Sequence, residues 1–220
     1  MLEAYQFVMR HPEMLSKWLV DHLWISLVAI VIGVILGVTV GIYITGKGRE
    51  RLADVVLYFA EIMMTVPSLA LFGLLMLFLS RIRLSAIGFL PAVITLIVYG
   101  QLPILRNTYI AIRDVDPVMI EAGRGMGMSK RQLLFKIKLP LALPVIMAGL
   151  RNAIVLIIGI AAIAALIGAG GLGVPIFRGL RNARMDLIII GGVSVSVLAL
   201  LADGLMSLVE RWITPTGLKG

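Results

Sequence analysis

Long apolar blocks alternate with short polar stretches along this chain, and the apolar blocks lead to the first prediction. Crossing the hydrocarbon core of a bilayer takes about 20 helical residues. Five blocks reach that length: residues 23–44, 55–79, 86–110, 141–167 and 187–209. The pattern predicts an all-α integral membrane protein with about five transmembrane helices. An odd number of spans places the two termini on opposite sides of the membrane.

Residues 1–22, ahead of the first block, have a different character. Apolar and charged side chains alternate there, Pro12 interrupts the run, and the stretch lacks both a continuous apolar core and a small-residue cleavage site. These features argue against a signal peptide and favour an amphipathic helix at the membrane interface. We therefore separate an N-terminal segment, residues 1–22, from a transmembrane domain, residues 23–217.

The first block carries a regular series of glycines. Gly33, Gly37 and Gly41 recur every four residues and therefore share one face of the predicted helix. Small residues let two helix backbones approach closely in lipid, where apolar attraction between helices is weak. The series predicts that another helix packs tightly against this face.

A proline interrupts the second block. Pro67 removes a backbone hydrogen bond and clashes with the preceding turn, so we expect a kink or a broken helix there. The hydroxyls of Thr65 and Ser68 can satisfy the freed backbone groups. We expect this bend to line a solute path. Tyr99 in the third block is a candidate for the same path, because a tyrosine ring can bind a cation.

The composition supports a membrane protein and removes several kinds of site. The mean hydropathy is +1.04, far above that of soluble proteins. The chain has no cysteine, which excludes disulfides, thiol catalysis and cysteine-based metal sites. The two histidines, His11 and His22, both belong to the N-terminal segment, so a buried histidine cluster is excluded and no metal site is predicted.

The net charge of +8 indicates membrane topology. In a membrane protein, loop lysines and arginines usually record orientation and contact with lipid, so lipid is an expected partner and nucleic acid is not. An orientation with the N-terminus outside gives the inner segments the larger share of basic residues. Residues 113–140 then lie in the cytoplasm.

Ionisable residues inside the apolar blocks are candidates for a structural or transport role. Charges in lipid are costly and are usually paired or turned toward a wet cavity. Glu61, Arg151 and Asp203 are the clearest examples. We favour an ion pair between Arg151 and either Asp203 or Glu61 that fastens helices together. A path for solute or protons is the alternative.

Gly168, Gly170 and Gly173 spell G-x-G-x-x-G. That pattern binds dinucleotides when it follows a strand within a βαβ unit. Here it follows a long apolar block, so we interpret it as a tight turn or helix break at the membrane surface, where glycine supplies backbone freedom.

A basic, glycine-dotted segment, residues 121–140, stands out from its apolar surroundings. Asp116 can cap a helix that starts at Pro117, and Ser129 can cap a second helix. Glycine inside a helix costs about 1 kcal/mol relative to alanine, so three glycines at a spacing of two need a reason. A second surface in close contact with the first helix would explain the three glycines. The alternative is a membrane-surface helix with no partner.

This segment resembles the signature loop of permease subunits of bacterial ATP-binding cassette (ABC) importers. That loop reads Glu-Ala-Ala, three residues, Gly, nine residues, Ile-x-Leu-Pro. Both spacings are matched, and Gly123 replaces the second alanine. The matching residues are Glu121, Ala122, Gly123, Gly127, Ile137, Leu139 and Pro140.

The resemblance implies the type I ABC importer permease fold in a bacterial cytoplasmic membrane. In that family the loop, within residues 113–140 here, forms a cytoplasmic coupling helix, and residues 117–138 would seat in a groove of the ATPase. It further implies two ATPase subunits, a second permease copy or paralogue, and an extracytoplasmic substrate-binding protein. ATP and Mg would be bound by the ATPase, so this chain would carry no cofactor and would not itself be an enzyme.

Further segments resemble the osmoprotectant branch, which imports glycine betaine, choline and carnitine. They are TVPSLALFG at 65–73, LPILRNTYIAI at 102–112, AALIGAGGLG at 164–173 and the tail TPTGL. Two alternatives stay open at this point. One is the same machine carrying methionine or another amino acid. The other is a standalone channel or secondary transporter whose basic loop touches only lipid.

Overall fold

The structure is a computed structural model that describes residues 2–213. The tail TPTGL, part of the resemblance above, lies outside the described residues. Every regular element within 2–213 is helical. In chain order the elements are α1 (Leu2–Arg10), α2 (Pro12–Ile44), α3 (Glu50–Thr65), α4 (Ser68–Arg81), α5 (Phe89–Arg113), α6 (Pro117–Gly125), α7 (Lys130–Leu133), a π-helical turn (Leu134–Lys138), α8 (Leu139–Ala161), a 3₁₀ turn (Ile163–Ile167), α9 (Gly173–Arg181) and α10 (Met185–Ile213).

The described helices confirm about five spans. Four are long and apolar enough to cross a membrane, namely Pro12–Ile44, Phe89–Arg113, Lys130–Ala161 and Met185–Ile213. The pair α3 and α4, which meet at an angle of 103°, gives a fifth when it is counted as one broken span and is otherwise a re-entrant loop. The first of these helices begins at Pro12, a residue type suited to the first helical turn, and runs through residue 22 without a break. Residues 12–22 therefore belong to the same continuous helix as the first apolar block.

The centre of the bundle is α5, which packs between α2 and α8. The predicted glycine face of α2 lies against it. A Cβ atom at Gly37 would lie 2.6 Å from the side chain of Ile104, and one at Gly41 would lie 2.7 Å from that of Thr108. Side chains at these glycines would push α2 away from α5, which is the physical reason for the series.

The fourth span differs from its prediction at both ends. The sequence predicts residues 141–167, whereas one continuous helix runs over Lys130–Ala161. Pro140 lies in the first turn of α8, directly after the π-helical turn Leu134–Lys138. Proline is tolerated in a first turn and π-helical turns commonly accommodate local helix irregularity, so the basic segment continues directly into the membrane span.

The G-x-G-x-x-G run forms a turn, as expected. Gly168, Gly170 and Gly171 have φ angles of 80°, 83° and 85°, a region that other residues rarely adopt. A Cβ atom at Gly173 would overlap the backbone carbonyl of Ala162, so α9 starts directly against the end of the preceding span. Helix α9 (Gly173–Arg181) was not predicted from the sequence.

We predict that two glycines of α8 respond differently to alanine. A Cβ atom at Gly149 would lie 2.7 Å from the carbonyl oxygen of Pro103, whereas a Cβ atom at Gly159 meets nothing within 4 Å. Overpacking against backbone costs about 1–3 kcal/mol, more than the roughly 1 kcal/mol that alanine contributes to a helix. Gly149→Ala should lower the melting temperature of the purified protein, while Gly159→Ala should leave it unchanged or raise it. Equal melting temperatures for the two variants would contradict this packing.

Candidate functional site

The segment that the resemblance implies is the coupling segment, residues 117–138, begins with a capped helix, α6. The carboxylate of Asp116 accepts a hydrogen bond from the backbone amide of Val118 at 2.8 Å, and Pro117 occupies the first turn. Aspartate at this position satisfies an amide that has no partner within the helix. The cap starts α6 as a separate short helix, with residues 114–116 between it and the end of α5 at Arg113.

A second cap starts the long helix that follows. The amide of Gln132 donates to the Ser129 hydroxyl at 3.3 Å, and the Ser129 amide donates to the Gln132 side chain at 2.8 Å. This reciprocal arrangement is a capping box. The sequence analysis identified Ser129 but missed Gln132, although the Ser-x-x-Gln spacing was available as a signal. The cap fixes where the helix Lys130–Ala161 begins.

Two of the three glycines in this segment, Gly123 and Gly127, have a structural reason within the chain, whereas a Cβ atom at Gly125 would meet nothing within 4 Å. A Cβ atom at Gly123 would lie 2.6 Å from the Leu133 side chain and 2.7 Å from that of Ile137. Gly123 therefore lets α6 rest directly on the long helix. Gly127 lies beyond the end of α6 and has a φ of 76°, which suits glycine in a turn. The expectation that all three glycines lie inside one helix is wrong for Gly127.

The signature residues divide into an inner and an outer set. Gly123 and Ile137 contact each other, and Leu139 packs on the buried cluster that contains Ile112 and Ile146. Glu121, Ala122 and Gly127 are exposed, while Pro140 lies in the first turn of α8. Three large apolar side chains that the sequence analysis did not single out are exposed beside them, Val118, Met119 and Met126. Apolar side chains are thus exposed on α6 and at the residue directly after it, together with the charged side chains of Glu121 and Arg124.

The bend at Pro67 is braced from the neighbouring span. Val66 has extended backbone angles, and its carbonyl accepts a hydrogen bond from the hydroxyl of Tyr99 on α5. The hydroxyl of Thr65 donates to the Ile62 carbonyl at 2.7 Å. From the sequence, the hydroxyls of Thr65 and Ser68 were predicted to satisfy the backbone groups freed at the bend. Tyr99 is only 5% exposed, so in this conformation it supports the bend and does not face an open path. Thr65 and Pro67 are exposed at the bend, and Ser68 is half-buried.

Two ion pairs link the spans. Arg151 on α8 holds Asp203 on α10 through both carboxylate oxygens, with an Nη2–Oδ2 distance of 2.6 Å and a second contact from Nε to Oδ1. Glu61 on α3 pairs with Arg106 on α5 at 3.2 Å. Of the two partners expected for Arg151, the structure shows Asp203, and Glu61 pairs with Arg106 instead. Arg106 was missed, although its charge inside the third apolar block was a visible signal.

The side chains of both ion pairs are half-buried. The side chains of Arg151 and Asp203 are 37% and 31% exposed, and those of Arg106 and Glu61 are 55% and 41% exposed. A two-pronged guanidinium–carboxylate contact is geometrically specific and stronger than a contact between neutral groups. The pairs therefore act as positional links, α8 to α10 and α3 to α5, at helix surfaces that an isolated chain leaves partly uncovered.

The comparisons with known proteins place these features in context. A family model described as "Binding-protein-dependent transport system inner membrane component" matches residues 18–215. The chain is 40% identical over 200 residues to the glycine betaine/carnitine/choline transport system permease protein OpuCB of Bacillus subtilis, covering 91% of this chain and 88% of that protein. It is 38% identical over 218 residues to the osmoprotectant import permease protein OsmW of Salmonella typhimurium, covering 99% and 100% respectively.

Solved structures show the same fold. The chain superposes on a subunit of the MetNI methionine ABC transporter, captured in inward-facing conformations, with a TM-score of 0.81 and 24% identity, covering 94% of this chain and 99% of that chain. An amino acid ABC transporter with histidines gives a TM-score of 0.78 at 22% identity, covering 94% and 97%. At these identities the likeness establishes the fold alone, and the expected all-α importer permease fold is confirmed.

We predict that Arg151 and Asp203 are coupled. Removing one partner leaves the other charge unpaired in the bundle, whereas removing both leaves neither. Arg151→Met and Asp203→Asn should each lower the yield and melting temperature of the inserted protein. The double variant should recover part of that loss. The measurement is yield and thermal stability in detergent for the three variants. A double variant no better than the worse single variant would show that the pair does not fasten α8 to α10.

Proposed function

The chain belongs to the family of binding-protein-dependent transport system inner membrane components, and on that premise we propose that it is the permease subunit of an ATP-driven importer for quaternary-amine osmoprotectants such as glycine betaine, choline or carnitine. The proposed substrate class rests on sequence identity. Over about nine-tenths of its length the chain is 39–41% identical to proteins named as permeases for those solutes. The matched region includes the coupling segment and the bend at Pro67.

The coupling segment supplies the attachment to a motor. The outer face of α6 presents Val118, Met119 and Met126 to a groove on an ATPase subunit, with Glu121 beside them. Two ATPase subunits would bind and hydrolyse ATP with Mg, and this chain would contribute no catalytic group. The apolar surface left exposed on α6 supports this arrangement, because burial in a partner's groove removes it from water.

The geometry also provides a way to transmit motion. Gly123 lets α6 rest on Leu133 and Ile137, which belong to the helix that continues through the membrane to Ala161. A push on α6 would therefore act on a single continuous helical rod and not on a loop. Since α8 packs on α5 and is linked to α10, tilting this rod would move the core spans together and change the access of the solute path.

The solute path would form between two permease subunits, identical or paralogous. Thr65, Pro67 and Ser68 at the bend are the residues proposed to line it, because a broken helix exposes backbone and side-chain polar groups at membrane depth. An external binding protein would deliver the solute to the opposite end of the bundle from α6.

An importer for methionine or another amino acid is the second candidate, because the superposed methionine transporter shares the fold. Reconstitution with the ATPase subunits and the cognate binding protein tests the choice. We predict ATP-dependent uptake of radiolabelled glycine betaine, choline or carnitine into vesicles, and no uptake of methionine. Uptake of methionine alone would support the second candidate. Uptake without the ATPase subunits would show a standalone transporter and overturn both proposals.

We predict that substitutions on the coupling segment uncouple transport without unfolding the permease. Glu121 and Gly127 are exposed and lie outside the membrane spans, so Glu121→Lys and Gly127→Asp should leave insertion intact. Both should reduce ATPase co-purification and binding-protein-stimulated hydrolysis. Gly127→Asp should be the more severe, because it adds bulk and an unpaired charge to a contact surface and strains a turn with a φ of 76°.

Gly127→Asn is the matched control, because asparagine has the size of aspartate, lacks its charge and adopts positive φ more readily than most residues. It should lie between the wild type and Gly127→Asp. Wild-type co-purification, stimulated hydrolysis and uptake in both Glu121→Lys and Gly127→Asp would show that residues 121–127 are not the coupling surface.

A further inference from the structure

A buried histidine joins three parts of the bundle. His22 on α2 has no exposed surface, although sequence analysis placed it in an interfacial N-terminal segment. Its Nε2 atom lies 3.1 Å from the carbonyl oxygen of Ile158 near the end of α8. Its Nδ1 atom accepts a hydrogen bond from the backbone amide of Leu172 at 3.2 Å. One side chain therefore connects α2, α8 and the turn before α9.

The two contacts define the state of the ring. A backbone amide can only donate, so the Nδ1 atom of His22 must carry a free lone pair. The proton of the neutral ring then lies on Nε2, which donates to the Ile158 carbonyl. Nδ1 thus accepts one hydrogen bond and Nε2 donates another, and the two bonds together fix the orientation of the ring.

The carbonyl of Ile158 lies close to the point where the helical winding changes. The amide of Ala162 donates to the carbonyl of Gly159, three residues back, at 3.4 Å. An α-helix would have directed that amide to Ile158, four residues back. His22 adds a side-chain hydrogen bond to the Ile158 carbonyl at the place where α8 gives way to the 3₁₀ turn Ile163–Ile167.

The amide of Leu172 belongs to the turn that positions α9. At the start of this turn the amide of Gly88 donates to the Ile167 carbonyl at 2.8 Å. Near its end a Cβ atom at Gly171 would lie 3.0 Å from Nδ1 of His22. The turn is thus held at both ends, at its start by the backbone of another loop and at its end by the histidine. The residue after Leu172 begins α9 (Gly173–Arg181).

This turn and α9 lie at the opposite end of α8 from the coupling segment. The proposed function places that end outside the membrane, facing the binding protein. Arg178, Leu180 and Arg181 are exposed on α9, and the guanidinium of Arg178 lies 5.9 Å from the ring centre of Trp18 on α2. The orientation of α9 on the bundle determines where these side chains are presented.

We propose that His22 is a positioning residue for the outer docking surface: its Nδ1 atom holds the Leu172 amide, sets the start of α9 and so shapes the surface that the external binding protein engages. The proposal rests on the proposed function, since it requires a binding protein. A docking surface that is formed only part of the time lowers the apparent affinity of its partner by the fraction formed.

Two amide substitutions separate the two contacts of the ring. Asparagine places its side-chain oxygen near the position of Nδ1, so His22→Asn can keep the acceptor for Leu172. Glutamine places its amide near the position of Nε2, so His22→Gln can keep the donor for Ile158 and loses the acceptor. Each variant is assembled with the ATPase subunits in nanodiscs, and hydrolysis is measured as the binding protein is titrated.

For His22→Gln we expect the binding-protein concentration for half-maximal stimulation to rise by about fivefold, the equivalent of one net hydrogen bond. Hydrolysis without the binding protein should stay at the wild-type rate. His22→Asn should remain within about twofold of the wild type. Hydrogen exchange in a peptide covering residues 168–173 should be slow in the wild type and His22→Asn, and faster in His22→Gln.

Equal half-maximal concentrations in all three proteins would overturn the proposal. A His22→Gln chain that fails to insert, beside a stable His22→Asn, would assign the acceptor to folding and would also overturn it. Absence of stimulation in the wild type by any binding protein would refute the proposed function. If the wild type is not stimulated, hydrogen exchange in residues 168–173 still tests the Leu172 contact. Equal exchange rates in the wild type and both variants would refute the contact, and faster exchange in His22→Gln alone would support it.

Discussion

Inside a bilayer, a backbone amide or carbonyl that leaves a helix must find its partner within the protein, because no water is available to replace it. Two of the places where the described spans leave α-helical geometry are the Pro67 bend and the end of α8. Each of these two breaks receives a hydrogen bond from a side chain on a different span. Tyr99 donates to the Val66 carbonyl, and His22 bridges Ile158 and Leu172. The breaks are therefore tied to the packing of the whole bundle.

The long helix Lys130–Ala161 connects the two ends of the molecule. At one end Gly123 lets α6 rest on its first turns, and at the other its last turn is held by His22. Between them Arg151 links it to Asp203 on α10. A single rod with contacts at both ends and in the middle is suited to carry a displacement across the membrane. A chain of separate loops would absorb such a displacement.

The glycines show how one residue type serves different physical needs. Gly37 and Gly123 permit close packing, since a Cβ atom at either would press on a neighbouring side chain. Gly127 and Gly168 instead adopt positive φ at the ends of helical segments. Spacing in the sequence does not distinguish these two uses, because both follow from what surrounds the residue in three dimensions.

The sequence by itself determined the features that depend on neighbours along the chain. Five spans, the break at Pro67, the caps at Asp116 and Ser129 and the signature loop all follow from local hydropathy, backbone chemistry and spacing. Only the tertiary structure decided which distant groups meet: Glu61 with Arg106 and not Arg151, Tyr99 with the Val66 carbonyl, and His22 with Leu172. These partners lie between 33 and 150 residues apart along the chain. Hydropathy and periodicity describe which face of a helix is apolar but carry no information on the rotation and height at which two helices pack, and those two quantities decide every such contact.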